Sequence, residues 1–193
     1  MTATTPTPGT VLLAGATGDL GGRILRNLLA RGATVRVLTR PETGTARIAP
    51  MILNSWHRVL FWSDPDQVLD FTTKDDTAAY TAAAALDRRA PRVLQTAGDQ
   101  VTARTLASTM TDLTGTQFRL LHGGSVGSLA AMSRTVKALM PASDEPFPPW
   151  QGMQYFASMF GGDAKLQYIN NDRYGSRIWT TARDVLERHC RDN

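Results

Sequence analysis

The first apolar run, Val11-Leu12-Leu13-Ala14, carries no polar interruption and reads as a strand buried on both faces. Glycines break it at Gly15 and Gly18, and a helical period follows. Leu20, Ile24, Leu25, Leu28 and Leu29 share one side, Arg23, Arg26 and Arg31 turn away, and Gly32 is placed to stop the helix. Residues 34–39 read as a second strand, so the opening of the chain predicts strand, helix, strand.

Further on, residues 56–62 alternate aromatic and apolar positions and read as a strand. Residues 63–67 are turn-like and 68–72 read as another strand, which predicts a hairpin. Thr73 is placed to cap an alanine-rich helix reaching Leu86, with Asp75 and Asp76 favoured in its first turn by the helix dipole. Two carboxylates at a helix start are more often caps than an acid–base pair.

Residues 93–96 read as a buried strand, and 118–121 as another. Between them Thr102 opens a helix with Leu106, Met110 and Leu113 on one face and Gly115 at its end. A helix over 126–140 would turn Leu129, Met132, Val136 and Leu139 inward. Four prolines make 141–149 a loop. Met153, Phe156, Ala157 and Phe160 then share a face of a helix over 150–160, stopped by Gly161-Gly162. A closing helix over 181–189 would bury Val185 and Leu186. No internal repeat interrupts this order.

The glycine turn carries the clearest chemistry. A strand, a glycine turn and a helix start form the geometry that receives a pyrophosphate: glycine admits close backbone approach, and the helix N-terminus offers unpaired N–H groups. Two glycines in a βα turn can also serve packing alone; the following strand supplies the context that favours the dinucleotide reading. Gly15, Thr17, Gly18, Asp19, Leu20 and Gly21 are therefore the candidate cofactor contacts. Thr39 and Arg40 close the second strand, nineteen residues after Gly21, where the adenosine ribose is read. An arginine there and no carboxylate favour the 2′-phosphate of NADP over the free hydroxyl of NAD.

Composition narrows the partners. The 193 residues are 42% hydrophobic and 20% charged, enough for a globular core. Three lysines leave eighteen arginines among the 21 basic residues, and the net charge is +4. The arginines are scattered, densest at Arg88-Arg89 and Arg92, without the stripe of a nucleic-acid surface. Cys190 stands alone, so a disulfide framework is absent and a cytoplasmic home is expected. No run is long enough to span a membrane, and the Thr/Pro-rich residues 1–9 read as a flexible lead-in rather than a signal peptide.

The signature Gly15-Ala16-Thr17-Gly18-Asp19-Leu20-Gly21 within residues 11–40 resembles that of NmrA-like, isoflavone-reductase-like members of the atypical short-chain dehydrogenases. Residues 68–80, 93–98, 150–155 and Asn171-Asp172-Arg173-Tyr174 resemble the same family again. The resemblance implies a Rossmann-like α/β fold, NADP(H) binding and a small carbonyl or enone substrate. It also exposes a departure. Where a family member would carry strands 3, 4 and 5 of the nucleotide domain, only fifteen residues, 41–55, stand here, with two prolines and one glycine. At about 30 residues per β-α-β unit, roughly 90 residues are missing. The expected organisation is a glycine-loop β-α-β unit over 1–45, then the remaining strands and a substrate part over 46–193.

Short-chain dehydrogenases pair a tyrosine with a lysine four residues on. The tyrosines Tyr80, Tyr155, Tyr168 and Tyr174 are followed at that spacing by Ala84, Met159, Asp172 and Ile178. Relatives that use a lone lysine draw it from the missing segment, and nothing singles out Lys74, Lys137 or Lys165. His57, His122 and His189 share no metal-ligand spacing. The aromatics Trp56, Phe61, Trp62, Trp150, Tyr155 and Phe160 could line an apolar pocket, although an aromatic helix face more often belongs to the core. The catalytic group therefore stays unassigned. Three functions remain: an NADPH-dependent reductase, a dinucleotide sensor, and a remnant acting through protein contacts. The strand at 11–14 would have an open edge, to be filled by the strands near Val93 and Phe118 or by a second copy in a homodimer.

Overall fold

The computed structural model describes residues 10–38, 51–140 and 148–191. The expected lead-in at 1–9, Thr39, Arg40, the linker residues 41–50 and most of the loop at 141–149 lie outside them. The chain is mixed α/β and divides into two compact units. The first takes in the described residues before 46 with 73–96 and 170–178; the second takes in 51–72, 97–169 and those from 179 on.

In the first unit, β1 (Val11–Ala14) and β2 (Val35–Leu38) pair in parallel, Val11 opposite Val35 and Leu13 opposite Val37. Helix α1 (Asp19–Ala30) connects them. Its end is closed as expected: Gly32, at φ +73°, donates its N–H to Leu29, and Ala33 donates to Leu28. Helix α2 (Lys74–Leu86) packs on α1, and Ile24, Leu28, Ala33, Ala78 and Ala82 form the core with Val11, Leu13 and Val35 around it. The alanines of α2 allow that close approach. Leu20 and Leu29 are exposed, against expectation. Two strands and one helix cover only part of the wide apolar side of α1, so its flanks stay open.

The segment 170–178 is tied to α2 by polar contacts. Tyr80 donates its hydroxyl to the Asn170 carbonyl at 2.7 Å, and Arg173 bridges to Asp87 at 2.9 Å. Arg177 pairs at 2.7 Å with Asp76, whose side chain is only 6% exposed.

The second unit holds two small sheets. β3 (Ile52–Leu53) runs antiparallel to β4 (Arg58–Phe61), which pairs in parallel with β7 (Arg119–His122); β5 (Leu69–Phe71) is antiparallel to β6 (Asp99–Val101). Helices α3 (Ala103–Thr114), α4 (Val126–Leu139), α5 (Pro149–Gly161) and α6 (Ala182–Arg191) complete it. Val59, Leu69, Met110 and Leu129 are fully buried, and Trp62 stacks on Phe156 with ring centroids 5.8 Å apart.

Several expectations are corrected here. The expected hairpin does not form, because β5 finds its partner in β6. Residues 93–96 are not a strand; Asn170 holds them instead, its side-chain oxygen accepting from the Gln95 N–H while its own N–H donates to the Gln95 carbonyl. Residues 54–56 form a 3₁₀ turn, and His57 follows at φ +48°, so the expected strand at 56–62 starts at Arg58. Part of the expected linker, Ile52–Leu53, is a strand. In α4, Ser133 is buried and donates to the Trp150 carbonyl, whereas Met132 and Leu139 are exposed. In α6, Leu186 packs on the core and Val185 is exposed. β7 pairs with β4 and not with β1, so no later strand fills the open edge of β1 among the described residues. No described helix is long and apolar enough to cross a membrane.

Candidate functional site

The turn from β1 into α1 uses three glycines for three different reasons. Gly15 sits at φ +75°, a left-handed conformation that side chains disfavour, and it accepts the Gly18 N–H at 3.0 Å. Gly18 is the N-cap of α1 and offers no side chain to cap it. Gly21 lies against the turn: a Cβ there would meet the Gly15 carbonyl oxygen at 2.0 Å. Gly15 bends the chain, Gly18 leaves the helix start bare and Gly21 brings the helix close, three roles for which dinucleotide-binding turns also use glycine.

Gly22 donates back to the Gly18 carbonyl. The N–H groups of Asp19, Leu20 and Gly21 take no acceptor among the described residues. These unpaired donors, at the positive end of a twelve-residue helix, suit an anion. Thr17 and Leu20 are exposed beside them, while Ala16 is buried beneath the turn.

Charged groups surround this helix start. Lys74, at the first turn of α2, reaches Asp19 at 2.5 Å, and Arg23 bonds the other Asp19 oxygen at 2.8 Å. Arg23 also contacts Asp75. The hydrogen bonds from Lys74 and Arg23 pull the Asp19 carboxyl down to about 2, and those from Asp19 and Asp75 raise the Arg23 guanidinium. The quartet is neutral overall, so the Asp19 charge beside the turn is compensated. Lys74 lies 55 residues from Asp19; no sequence spacing could have joined them.

Thr73 caps α2 as expected, its hydroxyl accepting from the Asp76 N–H at 3.1 Å. Asp75 and Asp76 are engaged by arginines rather than paired with each other. Tyr80 and Tyr174 are similarly occupied. Burial raises the Tyr80 hydroxyl while it donates to Asn170, and the Tyr174 hydroxyl bonds Asp87 at 3.2 Å. His57 lies edge-on to Phe118, His122 packs on Phe61, and His189 bonds Asn54. Of the aromatics, Phe61, Trp62 and Phe160 are core, whereas Trp56 and Tyr155 are exposed.

No family model and no curated protein matches the sequence. Solved structures do align with the fold. The Citrobacter sp. triphenylmethane reductase complexed with NADP(H) superposes at a TM-score of 0.58, over 93% of this chain and 99% of that chain, with 11% identity. Another structure of the Citrobacter sp. triphenylmethane reductase gives 0.61 over 94% and 99%, with 11% identity. AtPrR2 in its apo form gives 0.61 over 92% and 98%, with 14% identity. The chain thus has a Rossmann-like α/β fold similar to that of these proteins.

Proposed function

We propose that this chain binds NADP(H) at the β1–α1 turn and is an NmrA-like, isoflavone-reductase-like derivative of the short-chain dehydrogenases. The observation that carries the reading is the turn itself: Gly15 at φ +75°, Gly21 with no room for a Cβ, and three unpaired N–H groups at the start of α1. The diphosphate would lie over Gly18, where a side chain is missing, and accept hydrogen bonds from Asp19, Leu20 and Gly21. Likeness to a reductase complexed with NADP(H) supports the same assignment. On the sequence, Thr39 and Arg40 would take the adenosine ribose and its 2′-phosphate.

Two uses of the dinucleotide compete. A reductase would direct the hydride that NADPH supplies to a small apolar carbonyl or enone, whereas a sensor would hold the cofactor without turnover. One observation favours the sensor: the hydroxyls of Tyr80 and Tyr174 are committed to Asn170 and Asp87, and Tyr80 is raised rather than lowered, opposite to what a tyrosine acid needs. β1 also has a single strand neighbour among the described residues, as a nucleotide domain without its middle strands would. A second copy is the proposed occupant of that edge, giving a homodimer.

The deciding experiment is a thermal melt with each cofactor. NADPH should raise the melting temperature more than NADH at equal concentration, since a ligand that binds only the folded state stabilises it. Arg40→Asp should reverse that order. Gly18→Val should remove the NADPH shift while leaving the circular-dichroism spectrum unchanged, because the branched side chain fills the diphosphate position. An NADPH shift that survives in Gly18→Val would place binding elsewhere.

A further inference from the structure

The second unit contains a groove of about 420 Å³ between α4 and α5. The two helices run antiparallel. Ser133, midway along α4, donates to the Trp150 carbonyl at the start of α5, and a Cβ on Gly161, at the end of α5, would sit 3.6 Å from Val126 at the start of α4. Val126, Ala130 and Arg134 lie four residues apart and form one stripe along α4. From Val126 to Arg134 that stripe runs about 12 Å, eight residues at 1.5 Å each.

The groove is charged at its ends and apolar between them. Asp163 lies at the Val126 end, its carboxylate 3.6 Å from the same position on Gly161. Arg134 lies at the other. Ala130 and Ala157 leave the floor low, and Gln154 and Ser158, one turn apart on α5, form the rim. Among the described residues, none of the side chains of Arg134, Gln154, Ser158 and Asp163 makes a hydrogen bond or ion pair. Elsewhere in this unit opposite charges close on each other, as in Asp66 with Arg104 at 2.8 Å and Asp70 with Lys165 at 2.7 Å. Here the groove keeps them apart.

We propose that this groove is a binding site for a slim dipolar organic molecule. Its carboxylate or equivalent anion pairs with Arg134, its ammonium pairs with Asp163, and an unbranched apolar chain crosses Val126, Ala130 and Ala157. Gln154 and Ser158 supply neutral hydrogen bonds along one side. A molecule carrying one charge satisfies only one end, so the site selects for two opposite charges at a set separation. The site is built wholly from the second unit and does not rest on the dinucleotide reading.

The test uses the full chain and 8-aminooctanoate as the probe, followed by amide chemical shifts. Saturable binding is expected at a Kd on the order of 1 mM, with shifts centred on α4 and α5. Octanoate and octylamine should bind roughly fivefold more weakly, and so should 8-aminooctanoate to Arg134→Gln or Asp163→Asn, the size expected of solvent-exposed ion pairs. Ala130→Leu should abolish binding by raising the floor. If that variant fails to fold, the two surface-charge variants, whose side chains hold nothing else in place, decide the matter. Absence of saturation, equal affinity for the three probes, or unchanged affinity in both charge variants would overturn the assignment.

Discussion

Gly21 and Gly152 are both helical glycines, and they should respond oppositely to alanine. At Gly21 the new Cβ would stand 2.0 Å from the Gly15 carbonyl oxygen, backbone that cannot yield without opening the turn. Gly21→Ala should therefore destabilise the protein by about 1–3 kcal/mol, the usual scale of overpacking. A Cβ at Gly152, in α5, meets nothing within 4 Å. Gly152→Ala should stabilise by about 0.5–1 kcal/mol through helix propensity alone. Denaturant midpoints of the two variants check both signs at once. Asp19 adds a pH signature at the same turn. Its folded-state pKa of about 2 lies below the unfolded value. The stabilisation is thus complete above about pH 4 and disappears as pH falls towards 2. Asp66, Asp87 and Asp184 are lowered as well, each by its own hydrogen bonds. Asp19→Asn should therefore soften the loss of melting temperature between pH 4 and 2 without removing it.

Among the elements, α2 depends most on a partner distant in sequence. Asp76 is 4% exposed on a helix whose other buried residues are Ala78, Tyr80 and Ala82, and Arg177 supplies its countercharge from 101 residues away. Removing the guanidinium takes this countercharge from a buried carboxylate. Arg177→Met should cost about 3 kcal/mol, read from the denaturant midpoint, and Asp76→Asn in the same background should recover part of it. The local signals were plain for the start of α2: Thr73 as cap and acidic residues after it. They were equally plain for α3, where Thr102 and Thr105 form a reciprocal capping box and Gly115 ends the helix at φ +68°. What α4 and α6 bury was not plain. Apolar spacing pointed Met132 and Leu139 inward, yet the packing against α5 selected Leu129 and Ser133, because the Ser133 hydroxyl finds the Trp150 carbonyl there.

For the molecule as a whole, the consequential feature is β1. Its four apolar residues read as a strand covered on both sides, but among the described residues it has β2 on one edge only, and Leu12 is 70% exposed. An apolar edge with no charge or proline to blunt it pairs readily with another chain. Light scattering should show a mass that rises above that of one chain with concentration. Leu12→Lys should suppress the rise without lowering the melting temperature, since the side chain is already in solvent. A mass that stays at one chain throughout would remove the proposed homodimer.

The sequence alone determined the features governed by neighbouring residues. The break at Gly15, the caps at Thr73 and Thr102, the stops at Gly32, Gly115 and Gly162, and the helices they bound follow from backbone sterics and from hydrogen bonds spanning a few positions. Only the tertiary structure decided the pairing of β5 with β6, the parallel pairing of β4 with β7, the hold of Asn170 on Gln95, and the meeting of Lys74 with Asp19. Strand partners and ion pairs far apart in the chain are chosen by which surfaces bury together. An alternating run fits several edges equally well, and an exposed charge carries no address until packing brings its counterpart within reach.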